Sequence, residues 1–406
     1  MTISAIAILV VAGYYFRSRQ SAPVSQPDQS GSLPLSGSPA QTAAPQTSLP
    51  DQSQQTTQTN VQKLNLVSQS QAVDFFVDKG SNVFIVQTDG KIVRVSGGKA
   101  EVISSGPLAN IINASFSFDG KRIMAMIGGD PAGNKLEIFN TEDKTWRVYP
   151  NIVQSAAWSP NSHKIAFLSP GDSGALYLLD TDTPNVKPVM VVKILQEDMD
   201  LNWISPTRIF LSDPPSAGWN SSLWSFDMSK KSLSPVILDR LGLETTWSSS
   251  TLGTGIAMFS NSNGQGGQLQ LVDQNGKQIQ DFTFLTLPSK CTFYDKPVQT
   301  SGPSMSPATT TQSKVPLAPK TSLTMVCGVP RDIQLLASSP LPDAYQKKAL
   351  FTSDNFFEID ISAGSVKNIF NDNSKNVDSS AIKIFNQTLF FINRFDQKIY
   401  SLSLPK

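Results

Sequence analysis

An aromatic residue followed by a tight turn and a second apolar strand recurs five times along this chain at a nearly constant interval. The aromatic residues follow one another at spacings of 42, 45, 44 and 46 positions: Phe116, Trp158, Trp203, Trp247 and Phe293. A period of about 40–45 residues built from short strands is the signature of a β-propeller, in which each repeat forms one four-stranded blade. The spacing therefore predicts an all-β propeller.

Strand-like segments divide residues 61–406 into seven units, with six blades as the alternative if a weak terminal unit is misassigned. The predicted units are Ala72–Ser105, Ile111–Pro150, Ile152–Ile194, Met199–Asp239, Gly242–Phe284, Leu287–Phe370 and a last unit from Asp378. The sixth is long because Asp295–Lys320 is predicted to be an inserted Pro/Ser/Thr-rich loop. No stretch predicts an amphipathic helix of useful length.

The last unit supplies only three strands, and Val61–Val67 has no partner in the first unit. A closed propeller often completes its last blade with a strand from the opposite terminus, because this removes two exposed sheet edges. We therefore expect Val61–Val67 to pair with Lys398–Leu404.

The N-terminal segment differs from the rest of the chain. Ile3–Phe16 is uncharged and mostly apolar, and as a helix it would span about 21 Å, which is short of a hydrocarbon core of roughly 30 Å. We expect residues 1–17 to be part of a signal-anchor, with a signal-peptide core or a buried helix as alternatives. Residues 18–60 are rich in Ser, Gln, Pro and Thr and predict a disordered tether.

Composition excludes several classes of function. The chain has 33 Lys and Arg against 32 Asp and Glu, with no basic run, so nucleic-acid binding is not expected. One histidine and two cysteines cannot build a multi-histidine or four-cysteine metal site, and no cofactor or metal is expected. Gly171–Gly174 matches the nucleophile motif of trypsin-type proteases, but the only histidine, His163, is expected in an exposed turn away from it.

Two of the repeats resemble a known family. Trp158–Asn161 (WSPN) followed by Ile165–Phe167 (IAF) resembles the W-S-P-D-G-x-x-I-A-F unit of TolB-type, WD40-like repeats, and Phe116–Lys121 is a second close copy. The resemblance implies a propeller and leaves the function open. TolB itself carries an α/β domain before its propeller, which residues 1–60 cannot form. The layout is similar to membrane-anchored single-propeller proteins of unknown function.

A polar residue lies three positions before each aromatic residue of the repeat. These residues are Asn113, Ser155, Asp200, Glu244 and Lys290. Because the first strand of each blade lines the central channel, we expect these side chains to ring one channel mouth and to bind a ligand there. The alternative is a hydrated channel without a ligand.

The two cysteines fall on neighbouring strands of the sixth unit. Cys291 is placed on its first strand and Cys327 on its second, so we expect a disulfide, with two buried thiols as the alternative.

The sequence favours a non-enzymatic, extracytoplasmic propeller, tethered to the cell membrane by a single pass. It would be a monomeric interaction scaffold for an envelope protein, peptide or glycan. The competing hypothesis is an enzyme that processes cell-envelope glycans with carboxylates at the channel mouth, such as Asp200 and Glu244.

Overall fold

A computed structural model describes residues 63–129, 133–170, 174–183, 185–194, 198–249, 253–297 and 321–405. The predicted anchor and tether lie outside these residues, as do Gly171–Ser173 of the protease-like motif and residues 298–320 of the predicted loop. No helix in the described ranges is long and apolar enough to cross a membrane.

The described residues form seven four-stranded antiparallel sheets, which confirms the prediction of seven blades. A short strand, β1 (Asn65–Leu66), precedes the first complete blade. Blade one consists of β2 (Ala72–Val77), β3 (Val83–Gln87), β4 (Ile92–Ser96) and β5 (Lys99–Val102). Blade two consists of β6 (Ile111–Phe116), β7 (Arg122–Ile127), β8 (Asn134–Asn140) and β9 (Thr145–Val153). Blade three consists of β10 (Ser155–Trp158), β11 (Lys164–Ser169), β12 (Ala175–Asp180) and β13 (Val189–Lys193).

The remaining blades follow the same order, from the innermost strand to the outermost. Blade four consists of β14 (Asp200–Ser205), β15 (Arg208–Ser212), β16 (Asn220–Asp227) and β17 (Ser232–Leu241). Blade five consists of β18 (Glu244–Trp247), β19 (Gly255–Phe259), β20 (Gln268–Val272) and β21 (Gln278–Asp281). Blade six consists of β22 (Cys291–Pro297), β23 (Thr321–Pro330), β24 (Asp354–Asp360) and β25 (Ser365–Phe370). Blade seven consists of β26 (Ser379–Phe385), β27 (Thr388–Asn393), β28 (Lys398–Ser403) and β1.

The repeated aromatic residues pack between neighbouring blades. Trp158, Trp203 and Trp247 are each at least nine-tenths buried. The Nε1 of Trp158 donates a hydrogen bond of 3.1 Å to the carbonyl oxygen of Ser115 in the preceding blade. The ring of Trp247 lies 4.5 Å from that of Phe210, also in the preceding blade. The aromatic residues that recur in the sequence are therefore the residues that form the contacts between neighbouring blades.

The hairpin turn between β6 and β7 shows why one copy of the repeat keeps its glycine. Gly120 has φ +73°, in the left-handed region that glycine adopts without strain. A Cβ on Gly120 would lie 2.3 Å from the ring of Phe76 in blade one. Any other residue would have to displace that ring.

The N-terminal strand closes the ring, as predicted. Asn65 and Leu66 pair with Ser401 and Tyr400 of β28, so β1 is the outermost strand of blade seven. The Val67 amide donates a hydrogen bond of 2.9 Å to the carbonyl oxygen of Ile399. Leu64 and Val67 pack against the apolar cores on either side.

Removal of this strand is expected to destabilise the propeller. A chain that begins at residue 68 lacks the β1–β28 pairing and leaves the edge of β28 exposed, so we expect a loss of about 2–3 kcal/mol in the free energy of unfolding. A chain that begins at residue 58 retains β1 and is the matched control. Urea unfolding of the two chains measures the difference, and equal midpoints would show that β1 does not hold the ring closed.

Blade six departs from the sequence prediction. The sequence accounted for its length by one loop, Asp295–Lys320, whereas β22 continues to Pro297 and a second insertion lies between β23 and β24. This insertion, residues 331–353, is named the cap. It contains two short helices that the sequence analysis missed, α1 (Ile333–Ala337) and α2 (Asp343–Gln346).

Strand direction places the cap at the channel mouth. Consecutive strands of a blade alternate in direction, so the connection between the second and third strands lies on the face where the first strands begin. That face, named the cap face, carries the cap and the predicted site positions at the starts of β10, β14 and β18. The hairpins between the first and second strands connect at the opposite face.

Candidate functional site at the channel mouth

A cavity of about 820 Å³ lies where the first strands begin, beside the cap. Six of the seven blades contribute to its lining, and α2 and the end of the cap form part of its wall. The side chains that line it include Ile112, Asp200, Glu244, Lys348, Phe351 and Arg394. We refer to this space as the mouth cavity.

Asp200 is the first residue of β14 and lines the mouth cavity. Its side chain is exposed to the cavity, but the surrounding walls remove much of the bulk water around its carboxyl group. This burial raises the pKa of Asp200 above its ordinary value of 3.8. A carboxylate in such surroundings is costly to ionise, because no cation or donor among the described residues offsets the lost hydration.

Glu244 occupies the equivalent position in the next blade, as the first residue of β18. Its Oε1 accepts a hydrogen bond of 2.8 Å from the backbone amide of Ser289. Burial raises the pKa of Glu244 above 4.5, although the Ser289 hydrogen bond and the charge of Lys290 act in the opposite direction. The structure thus brings two carboxyl groups from adjacent blades to one cavity, as the spacing predicted.

Two other predicted positions do not line this cavity. Asn113 on β6 is exposed. Ser155 is half-buried, and its Oγ accepts a hydrogen bond of 3.0 Å from the backbone amide of Leu201, which joins blade three to blade four. Both residues lie on first strands, as expected, but neither is among the residues that form the cavity wall.

Lys290 lies in the interior, with its side chain 0% exposed, and not at a solvent-filled mouth. Its Nζ is 2.7 Å from carboxylate oxygens of both Asp354 and Asp378, and it also donates to the Oγ1 of Thr352. Position 290 is therefore polar because Lys290 belongs to a buried ion network between blades six and seven. Its ammonium group is bound by Asp354, Asp378 and Thr352.

The cap is attached to blades on both sides of its own. The amide of Ala217 in blade four donates a 2.5 Å hydrogen bond to Asp343, and the amide of Gly266 in blade five donates to the carbonyl oxygen of Ser339 at 2.9 Å. On the other side, Arg394 of blade seven donates to the carbonyl oxygen of Tyr345 at 2.7 Å. These contacts fix the cap over the start of the channel.

Aromatic rings and one arginine form the cap side of the cavity. The guanidinium carbon of Arg394 lies 3.6 Å from the ring centre of Tyr345 and 4.8 Å from that of Phe351. Phe351 stacks on Phe395 at 5.5 Å, and these rings are 38% and 47% exposed. The charge of Arg394 is balanced by Asp378, 2.8 Å from its Nη1. Burial and the charge of Asp378 raise the pKa of Tyr345 well above 10.

Sequence reasoning missed every cap residue in this site. A usable signal was present at Asp332, which precedes Ile333–Ala337 and caps α1 by accepting a hydrogen bond from the Leu335 amide at 3.0 Å. A helix of five residues is too short to show an apolar period, so the sequence pattern does not indicate it.

His163 lies in the predicted turn but is not an exposed residue, and this prediction was wrong. Its side chain is 14% exposed and bridges two blades, with Nε2 3.0 Å from Asp119 and Nδ1 2.8 Å from Asp182. Burial opposes ionisation of Asp119, but the His163 contact and further hydrogen bonds hold the pKa of that carboxyl below 3.8. His163 joins blades two and three on the face opposite the cap.

The strand pairing and the channel-mouth cavity define a seven-bladed β-propeller with a capped mouth. Solved structures that this chain is similar to include TolB proteins. The TolB structure from Agrobacterium tumefaciens is 12% identical, with 54% of this chain and 81% of that chain covered and a TM-score of 0.36. No family model and no curated protein matches the chain.

Two peptidase structures are also among the similar structures. Tricorn protease is 12% identical, with 84% of this chain and 34% of that chain covered and a TM-score of 0.48. A structure from a study of two prolyl endopeptidases is 10% identical, with 84% and 51% covered and a TM-score of 0.47. This chain spans about a third of tricorn protease. The similarities concern the fold alone, and they do not distinguish an enzyme from a binding protein.

Proposed function

We propose that this propeller is a non-enzymatic interaction module that binds its partner at the mouth cavity. The observation that carries this proposal is the cavity itself, since about 820 Å³ falls within the range of ligand pockets, roughly 300–1,000 Å³. It combines apolar and aromatic walls with a few charged groups, which is the usual composition of a binding site. The hydrogen bonds of the cap to blades four, five and seven hold the cavity in shape without a ligand.

The disulfide supports a location outside the cytoplasm. Cys291 and Cys327 face each other directly across β22 and β23 and are bonded, as predicted. Disulfides persist mainly in oxidising compartments. With the apolar N-terminal run, this favours a membrane-tethered, extracytoplasmic domain. We propose an envelope protein, peptide or glycan as the partner of a monomeric propeller.

Glycan hydrolysis is the second candidate, because the pKa values of Asp200 and Glu244 are both raised by burial. A general acid in glycoside hydrolysis requires such a raised pKa. Catalysis would also require the second carboxylate to be oriented, and no hydrogen bond orients the Asp200 carboxyl among the described residues. We therefore favour binding. Release of reducing sugar ends from isolated cell wall by the wild-type protein, but not by Glu244→Gln, would instead establish the enzyme.

Site-specific photocrosslinking tests where the partner binds. A benzophenone amino acid at Phe351 lies on the cavity wall, and the same group at Phe118 lies on the opposite face with comparable exposure. We expect discrete crosslinked products in native membranes from position 351 and few from position 118. Crosslinks that arise mainly from position 118 would place the partner on the other face and overturn the proposal.

A further inference from the structure

The charges of the mouth cavity are unevenly distributed. Asp200 and Glu244 lie on its wall at the starts of adjacent first strands, and in the described part of the chain neither forms an ion pair. Arg394 is already paired with Asp378, and Lys290 is enclosed with Asp354 and Asp378. Neither carboxylate therefore has an ion-pair partner among the described residues, although Glu244 accepts a hydrogen bond from the Ser289 amide.

Among the described residues that line the cavity, Lys348 is the one other cationic side chain besides Arg394. It is exposed on the cap and forms no ion pair with either carboxylate. Its charge is therefore available to repel a cationic ligand weakly or to attract an anionic one. This makes it a sensitive reporter of the ligand's charge.

The aromatic part of the cavity supplies apolar surface for the rest of the ligand. Phe351 lines the cavity and stacks on Phe395, and both rings are partly exposed on the cap face. The guanidinium carbon of Arg394 already lies 4.8 Å from the ring centre of Phe351, so this ring offers a ligand apolar contact with methylene groups. Ile112 on β6 also lines the cavity, and its side chain is 55% exposed, so it adds a second apolar surface.

We propose that the mouth cavity binds an organic cation, an ammonium or guanidinium group held by Asp200 and Glu244, with its apolar part against Phe351 and Ile112. The inference rests on the proposed function and specifies the chemistry of the ligand. The cation can belong to a free polyamine or to a Lys or Arg side chain of a partner peptide. The volume of the cavity accommodates several methylene groups or neighbouring residues besides the charged group.

Calorimetric titration of the purified protein at pH 7.5 and low salt tests the proposal with defined probes. The cationic probes are spermidine and the peptide acetyl-Gly-Arg-Gly-amide, and acetyl-Gly-Gln-Gly-amide is the neutral control. We expect saturable binding of at least one cationic probe and none of the neutral peptide. Tighter binding of spermidine identifies a free amine as the ligand, and tighter binding of the arginine peptide identifies a partner side chain.

Isosteric variants test which groups hold the charge. Asp200→Asn and Glu244→Gln are each expected to weaken cation binding about tenfold or more, since each removes a charge-assisted contact. Asp200→Asn also removes the cost of burying an unpaired charge, so it is expected to fold at least as stably as the wild type at pH 7. Glu137→Gln is the control, because it removes an acid with a raised pKa that lies outside the cavity.

Substitution of Lys348 and the pH dependence of cation binding provide two further tests of the proposal. Lys348→Met is expected to strengthen cation binding about twofold to fivefold by removing a like charge. Because burial raises both carboxyl pKa values, cation binding should be lost as the pH falls, beginning above the ordinary values of 3.8 and 4.5. Binding unaffected by Asp200→Asn and Glu244→Gln, or weakened by Lys348→Met, would overturn the inference. Continued crosslinking from position 351 without cation binding would overturn this inference and leave the proposed function standing.

Discussion

Replacement of Lys290 by methionine is expected to lower the free energy of unfolding by about 3–5 kcal/mol. The variant removes the ammonium group that lies 2.7 Å from both Asp354 and Asp378, in a site where all three side chains are 0% exposed. Asp354 would keep hydrogen bonds from the Ser379 amide and hydroxyl, and Asp378 would keep Arg394. These contacts cannot replace a full charge, so one buried carboxylate remains uncompensated.

The same substitution at Lys347 provides a matched control on the cap. Lys347 forms an ion pair of 3.1 Å with Asp343, but its side chain is 73% exposed. Exposed ion pairs contribute about 0–1 kcal/mol, so Lys347→Met should unfold close to the wild type. Guanidinium unfolding of the three proteins measures both effects. A Lys290→Met protein as stable as Lys347→Met would show that the buried network does not stabilise the junction of blades six and seven.

Loss of the disulfide is expected to cost about 3–4 kcal/mol in the chain-entropy treatment of a cross-linked loop. The bond joins Cys291 and Cys327, which are 36 positions apart and both almost fully buried. It connects the two innermost strands of blade six and limits the separation of residues on either side of the 298–320 segment in the unfolded chain. Replacement of both cysteines by alanine removes this restriction.

Thermal and urea unfolding of the double alanine variant should show the loss, and the wild-type protein unfolded in the presence of a reductant is its control. The reduced wild type retains the cysteine side chains, so the comparison separates the covalent bond from the packing of the sulfur atoms. Agreement between the two samples assigns the effect to the bond. A double variant within 1 kcal/mol of the oxidised wild type would contradict the prediction.

The architecture was predictable because its determinants are local and repeated. Trp158, Trp203 and Trp247 fill equivalent positions between blades, so the residues that join neighbouring blades recur in the sequence at a nearly constant interval. The pairing of the N-terminal strand with blade seven was predictable because the C-terminal unit has only three strands. A four-stranded blade then leaves one place for a strand from the other terminus. The disulfide followed from the same alignment of strands.

The site was only partly predictable, because polarity does not reveal what a side chain contacts. Asp200, Glu244 and Lys290 occupy equivalent positions, yet two of them line a cavity and the third is enclosed. The partners of Lys290, Asp354 and Asp378, lie 64 and 88 residues further along the chain, so only the fold brings them together. The cap helices of five and four residues likewise depend on contacts with neighbouring blades.

The direction of β1 has a mechanical consequence. Because β1 is antiparallel to β28, the chain enters the propeller at Lys63 on the face opposite the cap. Hydrogen bonds between antiparallel strands are perpendicular to the strands. Tension applied at Lys63 along the axis of β1 therefore loads these bonds together, in shear, instead of breaking them one after another. Force would thus reach the outer edge of blade seven from the face opposite the cap, and the mouth cavity lies away from the line of pull.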